Sequence, residues 1–151
     1  PYKTWMGIYI CPKGKCSGYA GYYFHLEPTE AGDRWHNLIS SGLYMPQGAI
    51  LKSLRDEIFD NGVEIETAIR EAEGWELFAG ETLKRTPQGY PSGSPYDEWL
   101  KKKDFLLEQR IPDAWLTRTD LLQLLATEFR KTGHFTEILN RAVQFAYEEM
   151  M

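Results

Sequence analysis

With 151 residues, 42% of them hydrophobic and 14% aromatic, the chain carries enough apolar material for one core-bearing domain and is short for two. No stretch approaches the ~18 uninterrupted apolar residues of a membrane span, and no charged-then-apolar leader opens the sequence. A formal net charge of −5 disfavours nucleic acid as a partner, because phosphate neutralisation drives such binding, and two cysteines are too few for a disulfide framework, which points to a reducing, cytoplasmic setting.

In chain order, Trp5 to Cys11 alternates as a strand does, with Met6, Ile8 and Ile10 on one face and Trp5, Tyr9 and Cys11 on the other. Pro12-Lys13-Gly14-Lys15 is turn chemistry, and Gly18 to Glu27 predicts a second strand with Tyr22, Phe24 and Leu26 opposed to Tyr19, Tyr23 and His25. A four-residue turn pairing Cys11 with Cys16 sets Ile8 opposite Tyr19, Trp5 opposite Tyr22 and Tyr2 opposite His25. Both faces are then aromatic or apolar, so the expectation is a hairpin covered on both sides. Trp35 to Met45 predicts a third strand, interrupted at Ser40-Ser41-Gly42.

Pro46 opens a helix whose apolar stripe is Ile50, Leu51, Leu54 and Ile58, and Asn61-Gly62 predicts a left-handed cap at its end. An acidic helix from Val63 to Glu73 follows and stops at Gly74. Leu83 to Pro95, rich in Pro and Gly, reads as an ordered surface loop. Ser94 and Pro95 start a short helix with Asp97 and Glu98 in its first turn and Lys101, Lys102 and Lys103 in its last, as the helix dipole prefers. Phe105 to Arg110 predicts a further strand. Thr117 with Asp120 resembles a capping box opening a helix through Leu121, Leu122, Leu125 and Phe129 to Gly133, and a final helix spans Thr136 to Met150. These elements predict an α+β fold over residues 1–151 as a single domain, with a mainly antiparallel sheet under packed helices.

Cys11, Cys16, His25 and His36 are the only metal-like set. Cys16 and His25 differ by an odd number and so point to opposite strand faces, and no metal is expected. There is no Gly-x-Ser-x-Gly elbow and neither glycine-rich phosphate fingerprint, so no cofactor is expected either. Basic residues with aromatic neighbours offer more. Lys84 and Arg85 precede a loop carrying Tyr90, and Lys103 closes the next helix, a set suited to framing an anion pocket.

The chain begins at Pro1. An amino-terminal proline can act as a base, as in the tautomerase superfamily, but nothing else here resembles that superfamily. Three stretches together resemble another family, widespread in bacteria and catalogued as domain of unknown function 2461. They are Pro1-Tyr2-Lys3-Thr4 running into Gly18 through Pro28; Ser41-Gly42-Leu43-Tyr44-Met45-Pro46 with Leu54, Arg55 and Ile58; and Leu83-Lys84-Arg85 through Pro87, Gly89 and Tyr90, then Leu100, Lys101, Lys103 and Phe105. The resemblance implies an upstream Arg-x-x-Arg-Asp-x-Arg-Phe segment, with Tyr2 closing an Asp/Asn-Lys-x-x-Tyr motif. The chain is therefore expected to be the carboxy-terminal two-thirds of the family domain, with the absent amino-terminal segment as a partner in the intact protein.

Tyr2, Lys3 and His25, with Lys84, Arg85 and Lys103, form the candidate site for a small anionic or polar ligand, with an enzymatic role that would need the upstream segment. The alternative is a protein-interaction module that uses Trp35, Tyr44, Tyr90 and Trp99. Aromatics lining a pocket with Lys and Arg favour the ligand, and a cluster of exposed aromatics favours the module.

Overall fold

The computed structural model describes residues 2–30 and 32–151, so Pro1 and any role as a terminal base lie outside the described residues. Alternating side chains at Met6–Ile10 (β1), Gly21–Leu26 (β2), Leu38–Leu43 (β3) and Phe105–Arg110 (β5), with the short Glu76–Leu77 (β4), form one sheet. Its order is β1-β2-β3-β5-β4 and every pairing is antiparallel. The helices are Gly48–Glu71 (α1), Asp97–Leu100 (α2), Leu121–Lys131 (α3) and Gly133–Glu149 (α4), with a 3-10 turn at Asp113–Thr117. This is an α+β fold. None of its helices is long and apolar enough to cross a membrane.

Parity decides which sheet residues meet the helices. Ile39, Leu43, Phe105 and Leu107 share one face and pack with Leu54 and Ile58 of α1 and with Phe135, Ile138, Leu139 and Val143 of α4. Two buried hydroxyls on this face satisfy each other, Ser41 Oγ and Thr132 Oγ1 at 2.7 Å, as a polar pair must when water is excluded. Ser53 Oγ of α1 donates to the Ala142 carbonyl of α4 at 2.6 Å.

The hairpin register differs from the expected one. Gly7, not Tyr2, lies across from His25, and Trp5 lies beyond the paired residues. The turn is not a four-residue one, because Cys11 to Ala20 forms its own loop. Ser17 Oγ donates to Pro12 O at 2.7 Å, and Asn140 of α4 clasps the Ala20 backbone, accepting from its N–H at 2.7 Å and donating to its carbonyl at 3.3 Å. The shift is odd, so it exchanges the facing sets: Met6, Ile8 and Ile10 join the Tyr22–Phe24–Leu26 side, and Trp5, Gly7 and Tyr9 join His25. β1 is an exposed edge strand rather than one covered on both sides. Leu38 to Leu43 runs through Ser40-Ser41-Gly42 without a break.

Asn61-Gly62 divides the two expected helices, but as a kink within α1 rather than as a left-handed cap. Asn61 departs from helical geometry (φ −126°, ψ 29°), the helix kinks, and α1 continues to Glu71. Gly62 serves close approach instead, since a Cβ there would lie 2.2 Å from the Tyr96 ring. The expected capping box is absent too: Thr117 Oγ1 donates to Ala114 O, and Asp120 pairs with Arg118.

Charged residues tie α1 to α4 across their exposed side. Arg141 pairs with Glu57 and Glu64, and His134 lies between Glu71 at 2.9 Å and Glu64 at 3.2 Å. Those carboxylates, Glu71 first, raise the His134 pKa. A raised folded-state pKa gives stability that is present below the unfolded value, near 6.5, and lost as pH rises through the folded value. His134→Gln should therefore lower stability in a melt at pH 6, by at most about 1 kcal/mol for so exposed a pair, and leave it unchanged at pH 9. An equal loss at both pH values would contradict the clamp. Gly62→Ala should cost about 1–3 kcal/mol in a urea melt, because Tyr96 cannot yield its place, and an unchanged midpoint would show that it can.

Candidate functional site

On the sheet face opposite the main core, and reaching the first turn of α1 at Ile50, side chains form a groove of about 650 Å³, inside the usual range for small-molecule sites. Leu38, Leu106 and Phe78 make an apolar floor, and Tyr9, Tyr23, Trp35 and Tyr44 make aromatic walls. Gly42 leaves the floor open at the pleat position between Gly21 and Leu106. Two buried ionic groups fix the walls. Lys102 Nζ donates to the carbonyls of Phe78 at 2.6 Å and Ala79 at 2.7 Å, and burial lowers its pKa. Asp104 accepts the Met45 N–H at 2.7 Å, holding the turn between β3 and α1.

Arg34 and Lys15 are the cations lining the groove, and Arg34 is held against its aromatic side chains. Its guanidinium carbon lies 4.8 Å from the Trp35 ring centroid and 4.7 Å from that of Phe78, a stacked arrangement that suits a planar cation. Nη2 is 3.0 Å from Glu108 Oε2, close enough for charge attraction though not aligned as a hydrogen bond. Nη1 is buried and has no hydrogen-bond partner among the described residues. Tyr9 donates to the Tyr19 carbonyl at 3.1 Å, and burial, reinforced by Cys11, pushes its pKa up to about 12, so it remains a neutral phenol.

At the β1 end of the groove, alternation along β2 sets Tyr23, His25 and Glu27 on one side. Tyr23 Oη is 2.7 Å from His25 Nδ1, and His25 Nε2 is 3.0 Å from Glu27 Oε2. The imidazole is only 4% exposed and lies between two indoles, Trp5 and Trp35, each with its centroid 5.2 Å away. Gly7 makes the arrangement fit, since a Cβ there would come within 2.7 Å of Tyr23 Oη and 3.2 Å of the Trp5 ring. Burial, then the negative charge of Glu27, raises the Tyr23 pKa.

Of the residues predicted from sequence, the structure brings two together. Lys3 Nζ sits 3.9 Å above the Trp5 ring, and Trp5 stacks on His25. Tyr2 is 99% exposed and unpaired with β2. Lys84 and Arg85 are exposed, and Lys103 pairs with Glu81 at 3.2 Å. These three lie at the far edge and the opposite end of the sheet: Lys103 precedes Phe105, which pairs with Leu43, whereas His25 pairs with Leu38. They do not meet His25. Trp35 and Tyr44 line the groove, while Tyr90 bonds to Asp56 at 2.5 Å and Trp99 stacks on Tyr96 against the core. Cys11, Cys16, His25 and His36 do not converge, and no group of three potential metal ligands occurs among the described residues.

Arg34 and Glu27 went unnoticed in the sequence, and Tyr23 was read only as a member of the strand face that carries His25. Tyr23 and Glu27 were legible as the i, i+2, i+4 partners of His25, whereas nothing in the sequence joins Arg34 to Glu108. A neutral imidazole between an acceptor-only carboxylate and a phenol must carry its proton on Nε2. A proton–nitrogen correlation spectrum above neutral pH should show that tautomer for His25, and protonated Nδ1 with bare Nε2 would contradict the geometry.

Comparison with curated proteins and with solved structures finds no match. The profile of one family matches residues 1–137, its description being conserved hypothetical protein (DUF2461). That span covers nearly the whole chain, and the protein belongs to this family.

Proposed function

We propose that the protein binds a small ligand with an apolar body and one anionic group in the groove on the open sheet face. One observation carries this reading: the Arg34 guanidinium, set against two aromatic rings and with Nη1 left without a hydrogen-bond partner among the described residues, belongs to the lining of a largely apolar cavity. An unpaired buried donor is costly, and a carboxylate or phosphate oxygen relieves that cost while its apolar portion covers Leu38, Leu106 and Phe78. Aromatic side chains together with Lys15 and Arg34 line one pocket, whereas the four aromatics of an interaction module do not gather into one patch. Cys11 and Cys16 are unbridged, which supports a reducing, cytoplasmic location.

Thermal shift with phenylacetate, indole-3-acetate and phenyl phosphate tests the reading. At least one should stabilise the protein, by about 2.7 kcal/mol at a hundred times its dissociation constant. Arg34→Met should abolish the shift, and the Lys84→Ala/Arg85→Ala pair should retain it. No shift with any of the three, or a shift indifferent to Arg34, would overturn the proposal.

A further inference from the structure

We propose that Tyr23 is a catalytic proton-transfer residue of the groove, and that His25 and Glu27 form the relay behind it. The inference rests on the groove being a binding site and assigns chemistry to one end of it. Both contacts in the relay, 2.7 Å and 3.0 Å, fall within the reach required of acid–base groups. The order is the one that activates an O–H: a carboxylate orients the imidazole, and the imidazole nitrogen that remains accepts the proton of the nucleophile or of a group beside it.

An ordinary buried histidine satisfied within the fold would be the simplest account of His25, and three features exceed it. First, the relay does not end inside the protein. Tyr23 lines the groove, and its Oη, having donated to His25, has no other hydrogen-bond partner among the described residues. Second, the imidazole is clamped between Trp5 and Trp35, so that its Nδ1 stays aimed at the phenol. Third, Trp35 also carries the Arg34 guanidinium, so the anion anchor and the proton acceptor share one wall.

The step is a proton transfer without redox change. A hydroxyl-bearing substrate, or water, in the groove donates a hydrogen bond to Tyr23 Oη. Its O–H bond breaks as the phenol takes that proton and passes its own to His25 Nδ1. The products are an activated substrate oxygen, a neutral Tyr23 and an imidazolium beside the Glu27 carboxylate. Free phenolate never accumulates, which accords with a phenol whose proton is held tightly.

Phenylmethylsulfonyl fluoride is a probe that needs no natural substrate. Its sulfur bonds to a tyrosine oxygen as fluoride leaves, and the phenol proton must go to a neighbouring base. Among the nine tyrosines, peptide mapping by mass spectrometry should find Tyr23 sulfonylated at least about tenfold faster than any other. Glu27→Gln and His25→Gln should each slow that labelling about tenfold or more, and Tyr23→Phe should remove the adduct. If His25→Gln fails to fold, Glu27→Gln, which keeps the side-chain shape, decides alone, with thermal melts confirming the fold. Slow labelling of Tyr23 in the native protein, or labelling indifferent to Glu27→Gln, would overturn the relay. The wild-type protein separates the two readings. Fast labelling of Tyr23 while none of the three anions shifts the melt would sink the binding site alone, and an Arg34-dependent anion shift with an inert Tyr23 would sink the relay alone.

Discussion

Helices bury only one face of the sheet, and the alternation of side chains along each strand turns that asymmetry into two chemistries. Ile39, Leu43, Phe105 and Leu107 point into the layer formed by α1 and α4 and join the main apolar cluster. Their immediate neighbours, Leu38, Ser40, Gly42 and Leu106, point the other way into the groove. A one-residue slip of any of these strands would send the core residues to the groove and the groove residues to the core. The polar contacts that prevent a slip are correspondingly deep. Ser41 meets Thr132, Asn140 clasps Ala20, and Asp104 holds Met45.

The open face is covered by side chains from loops rather than by a second layer of regular structure. Arg34 and Trp35 reach over it from the segment before β3, Phe78 from the segment after β4, and Trp5 from the chain just before β1. Loop-borne side chains on a rigid sheet are the usual arrangement for recognition, because the sheet fixes positions while the loops supply groups that an inner layer would otherwise bury. Buried ionic groups at the margins keep the loops in place. Lys102 gives two of its donors to backbone carbonyls beside Phe78, an expensive use of a charge that a merely decorative loop would not require.

Much of this was legible in the sequence wherever the signal was local. Phe105 to Arg110 forms a strand with the expected ends, the faces of the first two strands alternate as read, and the helix after Pro46 carries the expected stripe. What failed depended on contacts distant in sequence. The hairpin register goes with a long Cys11–Ala20 loop whose end Asn140 holds by the Ala20 backbone, a contact between residues far apart in the chain. Gly62 read as a helix stop because glycine permits a left-handed cap, when its actual use is to admit the Tyr96 ring. β4 is two residues long and carries no periodicity. On the groove side, His25 lies on the aromatic strand face that alternation assigns to it, beside Tyr23. Lys84, Arg85 and Lys103, where basic residues cluster in sequence, lie away from His25, and only the folded chain places Arg34 beside Phe78 and Glu108.

A ligand held in the groove would lie against Trp35 and away from the helix-side tryptophans. Fluorine NMR of protein labelled with 5-fluorotryptophan and titrated with phenylacetate tests this placement most directly, because the five tryptophans sample both sides of the sheet. Trp35 lines the groove and Trp5 stacks on the relay histidine, while Trp75, Trp99 and Trp115 pack with the helix-side core. The resonance of Trp35 should move saturably, with a smaller displacement at Trp5, and the three core resonances should stay fixed. Movement at Trp75 or Trp99 with a silent Trp35, or a spectrum unchanged at saturating probe, would contradict the account.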